Sequence, residues 1–257
     1  MDNKTSLFGI DIDVLDMQGA VGRLREWVKS QSRPCRYVVT PNVDHAVLYQ
    51  ESEALRTSYE GADMVLADGH PIVWTSRITG KRLPERVAGS ELVPALFDSY
   101  QEGDETLKVF LLGAADGVAA RAAEKMKSQW SKVETVGVYS PPMGFEKSEE
   151  ECEIILQKLK EADCDVVVVG LGAPKQEIWV SKYPDRIPAS AALCVGATID
   201  FLAGEKKRAP VWMQKYGVEW LHRMCSEPKR LVKRYARDAW IFPQLVLRQM
   251  AGGYKQA

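Results

Sequence analysis

Met64-Val65-Leu66-Ala67-Asp68-Gly69 is a short apolar run that stops abruptly at a carboxylate and a glycine. Apolar runs of this length between helical segments read as buried strands of a parallel sheet. In an open α/β sheet, ligands sit outside the carboxyl ends of the strands, so Asp68 would stand at the edge where chemistry is done. Asp-Gly is also a common turn pair, and this stretch alone leaves open a plain capping role for Asp68.

Upstream, Phe8 to Val14 alternates apolar and acidic residues and reads as an early strand or hairpin. Asp16 suits the cap of a helix from Met17 to Ser30, with Ala20, Leu24, Trp27 and Val28 on one face. Tyr37-Val38-Val39 forms a strand that Thr40-Pro41-Asn42 ends, because proline cannot continue the ladder. Val43 to Gly61 carries one helical pattern. Downstream of Asp68, a helix around Pro71 to Thr79 is followed by a basic loop, Gly80 to Arg86, and a helix from Ser90 to Tyr100.

Three more strand-to-loop passages follow. Val109 to Leu112 ends in Gly113 and opens an alanine-rich helix, and Thr135 to Val138 is a short strand before a Ser140-Pro141-Pro142 loop. A helix from Glu149 to Ala162 leads to the most apolar strand, Asp165 to Val169, which ends in Gly170-Leu171-Gly172-Ala173-Pro174-Lys175-Gln176. Ala192 to Val195 ends in Gly196-Ala197-Thr198. Strands alternating with helices imply an α/β fold, with a Rossmann-like parallel sheet and helices on both faces. Thr40, Asn42, Asp68, Gly113, Gly170 to Gln176 and Gly196 all fall just after strands. One sheet edge thus gathers polar and glycine residues, the expected address of a nucleotide or phosphorylated ligand.

The 257 residues are 46% hydrophobic and 27% charged with net charge −1, so nothing global suggests nucleic acid. Cys35, Cys152, Cys164, Cys194 and Cys225 are scattered without C-x-x-C, which fits a reducing cytosol. Met1-Asp2-Asn3-Lys4 leads into no long apolar run, and no stretch is long enough to span a bilayer, so neither a signal peptide nor a membrane span is expected. Composition shifts after about Gly204: residues 204–248 hold eleven Lys/Arg against four acids, interleaved with Trp212, Tyr216, Trp220, Tyr235, Trp240 and Phe242. We therefore divide the chain into a catalytic core, 1–203, and a helical C-terminal appendage, 204–257. Pro228 suits a first helical turn. Leu231, Tyr235, Ala239 and Phe242 would share a face, with Lys233, Arg234 and Arg237 away from its centre. Such a basic amphipathic segment is either a solvated helix on the core or a device for docking to an anionic membrane or a lipid diphosphate.

Several motifs fall away. Gly170-x-Gly172 lacks the third glycine of the dinucleotide fingerprint, where Lys175 stands. Asp11-Ile12-Asp13 and Asp163-Cys164-Asp165 match D-x-D, but the second lies at the entry of its strand and the first has no companion ligand. His45 and His222 are isolated, so zinc is not expected, and His70 beside Asp68-Gly69 could touch a ligand or simply pack. No Walker A or G-x-S-x-G occurs. What remains is a carboxylate, amides, a threonine and arginines. That set suits activation of a hydroxyl by a general base, with phosphate held by N–H groups and guanidinium.

Taken together, these residues resemble the WecG/TagA/CpsF family of bacterial glycosyltransferases from about Leu7 to Tyr235. The landmarks are Thr40-Pro41-Asn42-Val43-Asp44-His45, Ala67-Asp68-Gly69, Arg86 to Leu92, Pro174-Lys175-Gln176-Glu177, Asp200 to Gly204, Lys207-Arg208-Ala209-Pro210, and Glu219-Trp220 through Glu227-Pro228-Lys229-Arg230. Ser90-Glu91 and the Ser140-Pro141-Pro142 loop depart from the usual pattern. The resemblance implies an inverting transferase, and the missing ligand cluster, with Arg86 to offset the diphosphate charge, leads us to expect neither a metal nor a cofactor. The transferase would move N-acetylmannosamine, its uronate or glucose from a UDP-sugar to a polyprenyl-diphosphate-linked sugar at the cytoplasmic face of the membrane.

By the same resemblance Asp68 is the catalytic base. Thr40, Asn42 and Gln176 lie near the donor sugar, Arg86 suits the diphosphate and Asp200 the nucleoside hydroxyls. Gly113 joins them as a strand-end glycine, and Arg223, Arg230 and Arg234 are candidates for the lipid diphosphate. An anionic membrane surface is an expected partner, and self-association is left open. Two other readings remain: an enzyme that modifies sugar nucleotides, such as an epimerase, and a non-catalytic UDP- or anion-binding module recruited to membranes.

Overall fold

The computed structural model describes residues 3–31, 33–210, 212–213 and 217–254. Lys215 and Tyr216 of the basic segment, and the side chain of Arg230, lie outside the described residues. The chain opens with an antiparallel hairpin of β1 (Lys4–Leu7) and β2 (Ile10–Asp13). There follow α1 (Met17–Ser30), β3 (Arg36–Val39), α2 (Val43–Glu51), α3 (Glu53–Glu60), β4 (Met64–Val65), α4 (His70–Ile78) and α5 (Gly89–Asp98). Then come β5 (Leu107–Gly113), α6 (Val118–Gln129), β6 (Val133–Tyr139), α7 (Glu149–Ala162), β7 (Val166–Gly170), α8 (Lys175–Lys182), β8 (Ala191–Cys194) and α9 (Thr198–Ala203). Two helices close the chain, α10 (Glu219–Ser226) and α11 (Pro228–Met250).

Strands β3 to β8 form one parallel sheet in the order β4-β3-β8-β7-β5-β6. Side chains alternate across it, as the pleat requires. Val39, Val65, Val167, Val169 and Cys194 enter one core with α2, α3, α7 and α8. Val38, Met64, Val166, Val168 and Leu193 enter the other with α1, α5, α6 and α9. Helices on both faces explain why the central strands read as continuous apolar runs. This is the Rossmann-like α/β arrangement expected from the sequence.

Asp16 does cap α1, its Oδ1 accepting from Gly19 N at 2.7 Å. The single helix expected over 43–61 is instead two. Ser52 has extended backbone, ends α2 and caps α3, its Oγ accepting from Leu55 N at 3.2 Å. The expected face of α11 also shifts. Leu231 and Leu245 are buried, but Ala239 is exposed, and Asp238 sits buried between them. Arg234 and Arg237, expected to face away, both reach Asp44 on α2, at 3.3 and 2.7 Å. A helical wheel cannot foresee an acid supplied by another helix. The end of α11 is also tied to the hairpin: Phe8 N donates to Gln249 Oε1 at 2.7 Å, and the Phe8 ring lies 5.3 Å from Phe242. Among the described residues, no helix is long and apolar enough to cross a membrane.

Candidate active site at the strand ends

The order β4-β3-β8-β7 brings four carboxyl ends side by side, and a cavity of about 750 Å³ opens over them. The backbone brings its floor together. Asp68 N donates to Pro41 O at 2.9 Å, and Val87 N donates to Ala67 O at 2.8 Å. The second bond sets Arg86 beside Asp68 although they are remote in sequence, with Arg86 Nη1 3.8 Å from Asp68 Oδ1. Asn42 caps α2 by accepting from His45 N at 3.3 Å, and Thr40 Oγ1 donates to Cys194 O at 3.3 Å across to β8.

From β7 the chain turns sharply at Gly172, whose φ of +84° is a left-handed conformation that glycine adopts without strain. The turn is pinned by Gln176, which is buried. Its Oε1 accepts from Gly172 N at 3.2 Å and its Nε2 donates to Glu177 Oε1 at 2.7 Å. Glu177 is fully buried behind the cavity, and its second carboxyl oxygen has no hydrogen-bond partner among the described residues. Buried too is the pair of His45 Nδ1 and Tyr59 Oη at 2.7 Å.

Asp68 lines the cavity beside Arg86. About 29% of its side chain stays open to the cavity. Enclosure by the surrounding protein nevertheless pushes its pKa up from 3.8 to about 6. Arg86, Arg223 and His45 pull the other way, and Glu219 adds to the rise. A carboxylate poised near 6 is mostly ionised at neutral pH and is more basic than an ordinary aspartate, which suits a general base.

Arginine supplies the positive counterpart. Arg86 is largely buried and also pairs with Glu91 Oε1 at 2.6 Å. That same oxygen lies 3.2 Å from Arg208, so one acid holds two guanidinium groups. Lys206 bridges Asp200, at 3.6 Å, and Glu227, at 3.1 Å, linking α9 to the start of α11.

Thr40, Asn42, Asp68 and Arg86, together with Gln176 and Asp200, all line the cavity, and so do Arg223 and Arg234 from the C-terminal helices. Arg234 is committed to Asp44 at its Nη1 atom. Gly113 does not line the cavity. A Cβ there would meet the Gly170 carbonyl at 2.5 Å, so this glycine serves the close approach of β5 to β7. Arg230 falls outside the described side chains. Sequence reasoning missed Lys206, Glu219 and Trp220 on the cavity wall and Glu91 and Glu177 behind it. All five lie within or beside the landmark stretches, which was the available signal.

Neither D-x-D pair reaches the cavity. Asp13 accepts from Val65 N at 2.8 Å and pairs with Arg23, and Asp165 accepts from Lys108 N at 2.9 Å. Both aspartates therefore anchor strands.

The WecG/TagA/CpsF glycosyl transferase family model matches residues 5–256. An N-acetylglucosaminyldiphosphoundecaprenol N-acetyl-beta-D-mannosaminyltransferase of Bacillus spizizenii is 31% identical over 194 residues, covering 76% of this chain and 72% of that protein. Proteins of the same description from Staphylococcus aureus strains MW2 and COL are 26% identical over 228 residues, covering 89% and 87%. The protein is a glycosyltransferase of the WecG/TagA/CpsF family.

Proposed function

We propose that this enzyme transfers an N-acetylmannosamine-type sugar, its uronate or glucose from a UDP-sugar to a polyprenyl-diphosphate-linked sugar, with inversion and without a metal, in the building of a cell-surface or wall polymer. The observation that carries the reading is Asp68, raised to about 6 between Arg86 and Arg223 in a cavity at the strand ends. The names of the relatives, which attach N-acetylmannosamine to a diphosphoundecaprenol-linked sugar, support the choice of sugar and acceptor.

In this reading Asp68 takes the proton of the acceptor hydroxyl. The oxygen attacks the anomeric carbon from the face opposite UDP. A new C–O bond forms as the bond to the diphosphate oxygen breaks, and the electron pair leaves with UDP. Arg86 offsets the charge that develops there, doing the work a divalent ion does elsewhere. Thr40, Asn42 and Gln176 hold the donor sugar, and Asp200 meets the nucleoside hydroxyls.

Residues 204–257 serve as a membrane-facing appendage at the cytoplasmic surface. Their surplus of seven positive charges over 204–248 and the exposed Trp212, Trp220, Trp240 and Leu247 support this role. Arg223 is better placed than Arg234 for the acceptor diphosphate, because Arg234 is held by Asp44. The test is a panel of UDP-sugars offered with a lipid-linked N-acetylglucosamine acceptor. UDP release coupled to one product of inverted anomeric configuration is expected. UDP binding without turnover for every donor would overturn the reading.

A further inference from the structure

The basic loop after α4 reaches the cavity through Arg86, while its first residues complete an unusual surface with α4. Trp74 and Ile78 on α4 are exposed, at 49% and 62%, although they are large and apolar. With Arg77 they stand at i, i+3 and i+4, one face of the helix, while Ile72, Val73, Thr75 and Ser76 are buried on the other. Arg82 follows just past the helix end, and it shares with Arg77 a groove floored by Val14, Leu83 and Pro84. Among the described residues, neither Arg77 nor Arg82 has a carboxylate partner. No acidic residue occurs from His70 to Pro84. An exposed surface that sets bare tryptophan and isoleucine beside unneutralised arginines is unfavourable in water. It is the composition of an interfacial, lipid-facing helix.

The patch adjoins the cavity mouth. A Cβ placed on Gly217 would lie 3.0 Å from the Trp74 ring, and Gly217 and His70 both line the cavity. Trp220, half exposed, lines it from α10.

Resting on the peripheral-membrane reading above, we propose that the catalytic core itself contacts an anionic bilayer. Trp74 and Ile78 would enter the headgroup boundary, and Arg77 and Arg82 would take lipid phosphates in the groove beside them. The membrane would then be gripped on both sides of the cavity mouth, by α4 and by α10–α11, and a lipid-borne acceptor would meet the site without leaving the leaflet. The lipid phosphate is the committed ligand because guanidinium pairs with phosphate in a bidentate way and both arginines are free to do so.

The test uses the full chain with Cys225→Ser, since Cys225 is the one exposed thiol among the described residues. Ile78→Cys carries an environment-sensitive dye, and Ser128→Cys, exposed at the far end of α6, is the control. On phosphatidylglycerol vesicles the label at 78 should shift to the blue and be quenched by brominated lipid, whereas the label at 128 should not. Arg77→Gln with Arg82→Gln should weaken vesicle sedimentation about 25-fold, roughly fivefold for each cation lost near an anionic leaflet. Turnover on a water-soluble acceptor analogue should be unchanged. A silent label at 78 on vesicles that still sediment the protein through Trp240 would overturn the α4 contact and leave the appendage reading intact. Failure of the unaltered chain to sediment at all would overturn both. A shift that follows protein concentration without lipid would assign the patch to a second copy of the chain and overturn the proposal.

Discussion

The floor and the roof of the cavity are built on different physics. The floor is made by β4, β3, β8 and β7, whose strand residues are almost all buried, and by backbone bonds such as Asp68 N to Pro41 O. The roof is made by α10, which buries no residue, and by α11, whose buried apolar residues are Leu231 and Leu245. Apart from the packing of Leu245 and Phe242 on the core, charge holds the roof near the floor: Asp44 with Arg234 and Arg237, and Lys206 with Asp200 and Glu227. Ion pairs are screened by salt and respond to pH, whereas apolar packing is not screened and carries no titrating group. In the proposed reading, the chemistry sits on the part that stays fixed, and the lipid-linked acceptor is admitted by the part that can be loosened.

The largest effect should come from the floor. Asp68→Asn should lower turnover by about 10²–10⁴-fold, the usual contribution of a positioned base, while UDP affinity stays within a few fold. Turnover near that of the unaltered enzyme would remove Asp68 from the mechanism. The roof should answer next. Asp44→Ala takes the acid from Arg234 and leaves Arg237 with Asp238 alone. Because both arginines are about one-third exposed, water compensates part of the loss, and a cost of roughly 1–2 kcal/mol is expected. Hydrogen exchange should speed by about 5–30-fold over 228–250, with β7 and β8 unchanged. Equal acceleration in the strands would mean that floor and roof are one cooperative unit.

The same contrast decides what could be read from the sequence. The strands were legible because a buried parallel strand advertises itself as an unbroken apolar run, and their ends pointed to Asp68, Asn42 and Gln176. Contacts made through backbone were not. Arg86 comes to Asp68 through the bond from Val87 to Ala67, which leaves no trace in either side chain. A strand-end glycine looks alike whether it admits a ligand or, like Gly113, lets two strands approach. The charges of α11 were placed on the wrong side because periodicity sorts apolar residues from polar ones and says nothing of a partner such as Asp44. The break at Ser52 was hidden because apolar spacing runs on through it, although a serine at that point is a good cap.

The pH response separates floor from roof again. The Asp68 carboxyl holds its proton up to about pH 6, above its ordinary 3.8. The folded protein thus binds more protons than the unfolded chain between about pH 4 and 6, so this group's contribution to stability falls as pH rises through that window. Activity should run the other way. kcat/KM should rise with pH to a plateau above about 6 and be down by about tenfold one unit below it, because the base must be ionised. Asp68→Asn should remove that acidic limb from its residual rate. An unchanged limb in the variant would assign it to another group.

The smallest expected effect is none, and it tests whether Arg86 on the floor replaces a metal. Of the five carboxylates on the cavity wall, four are matched with cations, Asp68 with Arg86, Asp200 with Lys206, and Asp44 and Asp238 with Arg237, and Glu219 is the fifth. A divalent ion held by two of them would have to displace at least one of these partners, and Asp13 and Asp165 are spent on backbone N–H groups. Exhaustive EDTA treatment should therefore leave turnover within about twofold, a difference of only about 0.4 kcal/mol in the barrier. Arg86→Ala, in contrast, should lower turnover and weaken UDP binding together. If EDTA abolishes transfer and Mg²⁺ or Mn²⁺ restores it, the diphosphate is neutralised by a metal and Arg86 holds carboxylates only. The positive side of the floor would then have to be reassigned from guanidinium to a bound ion.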